Sequence, residues 1–581
     1  MGVFRKFSRL MDEKQKKKIV FIFLITVIGA FLEILGVSLM IPLLSAIMDS
    51  DIINTNTVIS WVCGLLGINS HKNFVLVCVF ALIAVFVFKD LFLMFQTYVQ
   101  TRFVCNNRFA TMKKLFHAYI NRPYEYYLSA SSGEIVRVVQ NDTLMAYRLF
   151  STLLVMLSES IVSVALIITI FVIDWQMTTF VAIMMGMIIL VISKGIKPIM
   201  KKAGRERLAE GASTNKWLLQ GISGIKEIKV SNTERFFEEN FETSGRKLIH
   251  AIKVDEVLNN VPKLLIEMVS VCSMLILIAI EIFLGRDIES LIPAFGAFAM
   301  AAIKLMPNAN RIVNAISSIS YNMSAVDKLL EQLDTLPKCK ENVISDERRE
   351  EKGVELAIEK TVELCNITYQ YPNSEKKILD DASMVIPVGK SVGVIGTSGA
   401  GKTTAVDIMI GLLEPKEGKV LVDGVDIMKD YRGWLSHIGY IPQMIFMLDS
   451  TIRSNVAFGV NQEEIDDDRV WHCLEEAQLA EFVRTLPKGL DTVIGERGMR
   501  VSGGQRQRIG IARALYGNPD LLLFDEATSA LDTETEAAVM ESINSLHGKK
   551  TMVIIAHRKQ TIEGCDIVYR VKDGKIICEK Q

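Results

Sequence analysis

A chain of 581 residues is long enough for two to four domains, and half of its residues are hydrophobic. With a mean hydropathy of +0.29, that share excludes an ordinary soluble enzyme, and a formal net charge of −1 excludes the bulk electrostatics of a nucleic-acid binder. The nine cysteines (Cys63, Cys78, Cys105, Cys272, Cys339, Cys365, Cys473, Cys565 and Cys578) form no CxxC or His-spaced metal pattern, and an odd count does not make a disulfide framework, so they read as free thiols.

Residues 1–18 are basic and amphipathic. They are expected to lie along the inner membrane surface, with Phe4, Phe7, Leu10 and Met11 in the interface, and not to act as a cleavable signal, because the apolar run that follows is too long for one. The initial Met-Gly does not read as a myristoylation site, since Lys6 stands where Ser or Thr is required.

Residues 19–330 read as a transmembrane domain. A span needs about 20 apolar residues, and six windows qualify: 19–48, 74–100, 147–174, 176–196, 261–284 and 288–316. Lys and Arg crowd the stretches 101–147 and 197–263 and are nearly absent from the other loops, which places those two stretches and both termini in the cytoplasm. Structureless loops of that length are uncommon, so the flanking spans are expected to continue as helices beyond the bilayer. Each stretch is broken at its tip, the first around Pro123–Glu134 and the second around Gly221–Glu227. Two readings of these breaks stand open: plain interhelical turns, or short transverse helices that dock on a soluble domain.

Ionisable residues at membrane depth are costly and usually functional. Glu33, Lys89, Asp90, Glu159, Lys263, Glu267, Glu281, Lys304 and Arg311 qualify. Lys89 and Asp90 also read as a local pair, and Lys263 can snorkel to the headgroups. Lys304 and Arg311 stand seven apart on one span, so they share a face that suits an anionic headgroup.

A charged linker (331–355) leads to a soluble α/β domain, 356–581. Strand Ser391–Ile395 runs into Gly396, Thr397, Ser398, Gly399, Ala400, Gly401, Lys402 and Thr403, with Thr404 following. This is GxxxxGK[ST] between strand and helix, a phosphate-binding loop. Its backbone N–H groups form an anion nest, Lys402 reaches the β- and γ-phosphates, and Thr403 offers a Mg²⁺ ligand. A fully apolar strand, Leu521–Phe524, ends in Asp525 and Glu526, placing a metal ligand beside a general base. Strand Thr551–Ala556 delivers His557 toward the γ-phosphate.

Val501, Ser502, Gly503, Gly504, Gln505 and Arg506 resemble the signature motif of ATP-binding cassette proteins, with Val where Leu is usual. The resemblance implies that Tyr371 stacks on adenine and that Gln443 is the Q-loop residue, sensing Mg²⁺. It also implies that Gly495–Gly498 is the exporter-type loop facing coupling helices, and that Ser529–Asp532 is the D-loop. In that family, Ser502, Gly503, Gly504 and Gln505 complete the ATP site of the opposite cassette, so the partner is a second copy. The fold implied is an all-α six-helix transmembrane domain plus an α/β P-loop cassette, the homodimeric (type IV) exporter architecture. ATP and Mg²⁺ are the cofactors, and the place is the inner membrane with the cassette in the cytoplasm. Within the membrane half, residues 33–42, 197–204 and 305–312 resemble the flippases of lipid-linked oligosaccharide in bacterial N-glycosylation. Lys89, Lys263, Lys304 and Arg311 match that family's basic headgroup positions, three of them Lys in place of Arg, which keeps charge but loses the bidentate fork. A lipid-linked glycan in the membrane is then the implied cargo. Multidrug, lipid or peptide export and an ATP-gated channel are the alternatives, and intact Glu526 and His557 argue against the last.

Overall fold

Long apolar runs followed by mixed polar sequence fold as helices that outlast any bilayer. A computed structural model of the chain describes residues 11–39, 71–130, 132–173, 197–283 and 305–316. It also describes 356–580 apart from 373, 496–497, 528–532 and 557–561, together with isolated positions elsewhere. The chain divides into two units, 1–121 with 131–338, and 122–130 with 339–581.

In the first unit the helices are α1 (Glu13–Ser38) and α2 (His71–Ile120). After α3 (Tyr124–Tyr127), which groups with the second unit, come α4 (Ser132–Val136), a π-helical turn (Arg137–Asp142) and α5 (Thr143–Ile173). They are followed by α6 (Lys197–Ser223), α7 (Ile225–Ser231) and α8 (Glu234–Phe283). α2 and α8 have 50 residues each, about 75 Å at 1.5 Å per residue, more than twice the hydrocarbon thickness. The helical extension expected of spans two and five is therefore present. Among the described residues, Glu13–Gly36, His71–Ile120 and Gly133–Ile168 are long and apolar enough to cross a membrane. The window 261–284 forms the end of α8, whereas 176–196 and the first part of 288–316 lie largely outside the described residues.

α1 packs on α2 and α5 with Ile22, Ile25 and Ala30 buried. Gly29 takes the close approach to α2, since a Cβ there would stand 2.0 Å from Gln96 Oε1. Ala30, Val162 and Leu166 form a small core with Leu305 packed on it. Near the N-terminus, Lys6 pairs with Asp327 at 2.5 Å and Arg9 with Asp334 at 2.8 Å. Met11 is buried, so it packs on protein instead of entering the membrane interface; Phe4, Phe7 and Leu10 lie outside the described residues. Among the described cysteines, Cys105, Cys272, Cys365, Cys473, Cys565 and Cys578 are free thiols.

The second unit holds two sheets. β1 (Thr361–Tyr369), β2 (Leu379–Pro387), β4 (Glu417–Val422) and β5 (Val425–Asp426) form an antiparallel sheet in the order β2-β1-β4-β5. The other runs β10-β9-β3-β8-β7-β6, built from β3 (Ser391–Gly396), β6 (Ile438–Ile441), β7 (Leu521–Asp525), β8 (Thr551–Ile555), β9 (Ile567–Lys572) and β10 (Lys575–Lys580). β3, β8, β7, β6 and β9 are mutually parallel, and β7 and β8 are buried at every position, as parallel strands covered on both faces must be. Parallel sheets bind ligands beyond the carboxyl ends of their strands. That edge is where β3 and β7 deliver the phosphate loop and the acidic pair.

Candidate functional site

β3 ends at Gly396 and the loop closes into α9 (Lys402–Ile410). Gly401 sits at φ +104, and a Cβ there would come within 2.9 Å of Ile378 Cγ2, so the turn admits no side chain. Thr397, Ser398 and Gly399 are exposed, while Ala400 is half-buried and Lys402 buried. Lys402 Nζ donates to the carbonyl oxygens of Gly396 (3.1 Å) and Thr397 (3.2 Å) and stands 3.9 Å from the Glu526 carboxylate. Burial pushes the ammonium below its ordinary pKa, offset by the Glu526 and Asp525 charges. A cation folded on its own loop carbonyls can exchange those oxygens for phosphate oxygens.

Thr403 Oγ1 donates to Asp525 Oδ1 at 3.2 Å. Burial raises the Asp525 pKa, the Glu526 charge adds to it, and the bonds from Thr403 and Tyr440 oppose it. A hydroxyl and a buried carboxylate, both hard oxygen donors, suit Mg²⁺, which takes few protein ligands beside phosphates. Glu526 follows at φ +51, a left-handed backbone for a non-glycine residue, held by its N–H on Ile555 O at 3.1 Å. Its Oε2 accepts from Gln443 Nε2 at 2.9 Å. The phosphate loop, the acidic pair and Gln443 are thus brought together.

Ser502 caps α10 (Gly503–Tyr516) in a capping box with Gln505, and the four N-terminal residues Ser502, Gly503, Gly504 and Gln505 present a helix start. α10 also grips the Q-loop: Gln507 Nε2 donates to Gln443 O at 3.1 Å, and Arg513 donates to Phe446 O and Asn455 O at 2.7 Å each. Burial lowers the Arg513 pKa to about 10, which leaves it charged. His557, Ser529–Asp532 and Glu496–Arg497 lie outside the described residues.

Tyr371 is half-buried; its hydroxyl is 3.0 Å from Thr404 Oγ1 and its ring stands edge-on to Tyr369 at 5.1 Å. Tyr440, Asp407 and the Glu125–Tyr369 contact were not singled out from sequence. Tyr440 stands on β6 three residues before Gln443, the only local signal among them. Burial and the Asp525 charge push the Asp407 carboxyl up to about 6.

In the first unit, Lys89 is buried, paired with Asp90 at 3.1 Å and seated over the Phe86 ring at 4.4 Å. The local pair allowed by sequence is present. Arg311 is ion-paired to Glu159; the guanidinium side is 60% exposed and the carboxylate 9%. Lys304 lies outside the described residues, and Lys263 lies on α8.

The family model "ABC transporter" matches residues 379–529, and "ABC transporter transmembrane region" matches 19–290; together they cover most of the chain. Among curated relatives, an ATP-dependent lipid A-core flippase of Aromatoleum aromaticum is 28% identical over 471 residues, 80% of this chain and 75% of the relative. Those of Pseudomonas aeruginosa and Shewanella frigidimarina are each 27% identical, covering 80% and 88% of this chain and 75% and 84% of theirs. Among solved structures, a bacterial Atm1-family ABC exporter with ATP bound superposes with TM-score 0.70 at 21% identity, covering 97% of this chain and 95% of that one.

Proposed function

The chain belongs to the ABC transporters, an ATPase coupled to transport with an exporter fold, and from that premise we propose that it works as a homodimer flipping a polyprenyl-pyrophosphate-linked glycan across the cytoplasmic membrane. The observation that carries the anionic-lipid reading is Arg311: a guanidinium largely exposed within a membrane-spanning domain, held by a buried carboxylate. A charge is costly at that depth unless it faces a polar cavity, and an exposed cation there suits a phosphate-bearing headgroup. Lipid as cargo is further supported by the relatives, which are lipid A-core flippases. Their names favour a second reading, a lipid A-type cargo.

In the ATP site, Lys402 neutralises the β- and γ-phosphates, Thr403 and Asp525 would hold Mg²⁺ with Gln443 beside them, and Glu526 takes the proton of the attacking water. Mg²⁺, when bound, supplies charge neutralisation of the phosphates. Tyr371 stacks on adenine, Thr404 follows at the α9 start, and His557 orients the γ-phosphate. Ser502, Gly503, Gly504 and Gln505 reach the site of the second copy, so two chains make two sites. The domain division 1–18, 19–330, 331–355 and 356–581 follows the same reading.

The test is reconstitution in proteoliposomes with polyprenyl-pyrophosphate glycan, a lipid A-type lipid, drugs or peptides, reading flipping and ATP turnover. The reading expects the pyrophosphate-linked glycan to be flipped and to stimulate turnover. Flipping of the lipid A-type lipid alone supports the second reading, and transport of neutral drugs alone removes both.

A further inference from the structure

Segment 122–130 belongs with the second unit although the chain on either side of it belongs to the first. Its helix α3 brings Glu125 to the cassette, where Glu125 Oε1 accepts a hydrogen bond from the Tyr369 hydroxyl at 3.0 Å, across 244 residues of sequence. Tyr369 is 1% exposed, so its hydroxyl is a buried donor whose loss of a partner is costly. Its ring meets the Tyr371 ring edge-on at 86°, and Tyr371 in turn shares a hydrogen bond with Thr404 at the start of α9. The α3 segment is itself braced, with Arg122 over the Tyr126 ring at 4.0 Å and Tyr126 edge-on to Tyr127. Tyr124 faces the same region, where burial and the Asp407 charge raise its hydroxyl pKa.

We propose that Glu125 is a positioning residue for the nucleotide base: through Tyr369 it sets the plane of Tyr371, and so ties segment 122–130 to the base and not only to the phosphates. The proposal rests on the reading of Tyr371 as the adenine-stacking residue. An edge-to-face contact has a preferred geometry, and a Tyr369 ring pinned at its hydroxyl offers Tyr371 one fixed edge. Linkage is reciprocal, so a base stacked on Tyr371 stabilises the Glu125 contact by as much as that contact favours the base. A ligand made of phosphates alone bypasses the path.

The experiment measures the affinity of the full-length protein in lipid nanodiscs for ATP and for ribose 5-triphosphate, which lacks the base. Glu125→Ala and Tyr369→Phe are each expected to weaken ATP about three- to tenfold, the range of one aromatic contact, with ribose 5-triphosphate unchanged. Glu125→Gln keeps an acceptor oxygen and is expected to restore the wild-type ratio of the two affinities. Equal weakening of both ligands, or failure of Glu125→Gln to restore the ratio, overturns the proposal. Tyr371→Ala separates the premise from the inference. An unchanged ratio in that variant removes the adenine reading and the proposal with it. A collapsed ratio there with an unchanged one in Glu125→Ala removes the proposal alone.

Discussion

Replacing Glu526 by Gln tests the catalytic centre with little structural disturbance. The side chain keeps its length, and its amide oxygen still accepts from Gln443 Nε2, a 2.9 Å bond in the native protein. The left-handed backbone at φ +51 costs about 1–2 kcal/mol for any non-glycine residue, and that cost is the same for Glu and Gln. What disappears is the capacity to accept a proton from water. A general base contributes about 10²- to 10⁴-fold, or about 3–5 kcal/mol in barrier height. The expected result is phosphate release reduced by at least about 10²-fold, with ATP affinity and thermal midpoint close to native. Glu526→Gly sharpens the comparison. It loses the same proton acceptor and the Gln443 bond, worth about 1 kcal/mol at this exposed pair, but relieves backbone strain of similar size. Its stability is therefore expected near native while turnover is lost. The assay pairs steady-state phosphate release with ATP binding on the same reconstituted sample. Turnover of Glu526→Gln within about tenfold of native would refute Glu526 as the base.

Two further changes follow from charges held out of water. Asp407 has its pKa raised to about 6 by burial, above the ordinary carboxylate value, so the folded state binds its proton more tightly than the unfolded chain does. Stability from this group is present below about pH 4 and lost as pH rises through about 6. Between about pH 5 and pH 7.5 the native protein should lose about 1 kcal/mol that Asp407→Asn does not lose, and parallel melting curves of the two would contradict this. Arg311→Gln alone removes the guanidinium that pairs with the buried Glu159 carboxylate, and removing one member of such a pair is costlier than removing both. Glu159→Gln combined with Arg311→Gln should therefore melt above Arg311→Gln alone, by about 1–3 kcal/mol of coupling in a double-mutant cycle, and zero coupling would show the pair to be inconsequential. The double variant is also the cleaner probe of the proposed headgroup binding, since Arg311→Gln by itself also disturbs the buried Glu159 carboxylate.

The phosphate loop, the Asp525–Glu526 pair and the signature helix were legible because each is written in adjacent residues. Gly401 is needed for a local φ, Ser502 and Gln505 cap their own helix, and β7 is apolar at four successive positions before Asp525. The extension of spans two and five was legible for a related reason, since a helix of 50 residues satisfies its backbone wherever it goes. By contrast, the interfacial role expected of Met11 failed because amphipathicity records an apolar face without saying whether lipid or protein covers it.

The sequence by itself determined the local geometry of the phosphate loop and of the signature helix, since short motifs impose their own backbone geometry and place their side chains within a few residues of one another. Only the tertiary structure decided who answers the isolated charges and hydroxyls. Arg311 meets Glu159 across 152 residues, Tyr369 meets Glu125 across 244, and Gln507 holds Gln443 across 64. A cation on an apolar helix announces that a partner is required, because burial without one is prohibitive. Which residue supplies it depends on how the helices and sheets pack, and no local pattern in the chain carries that information.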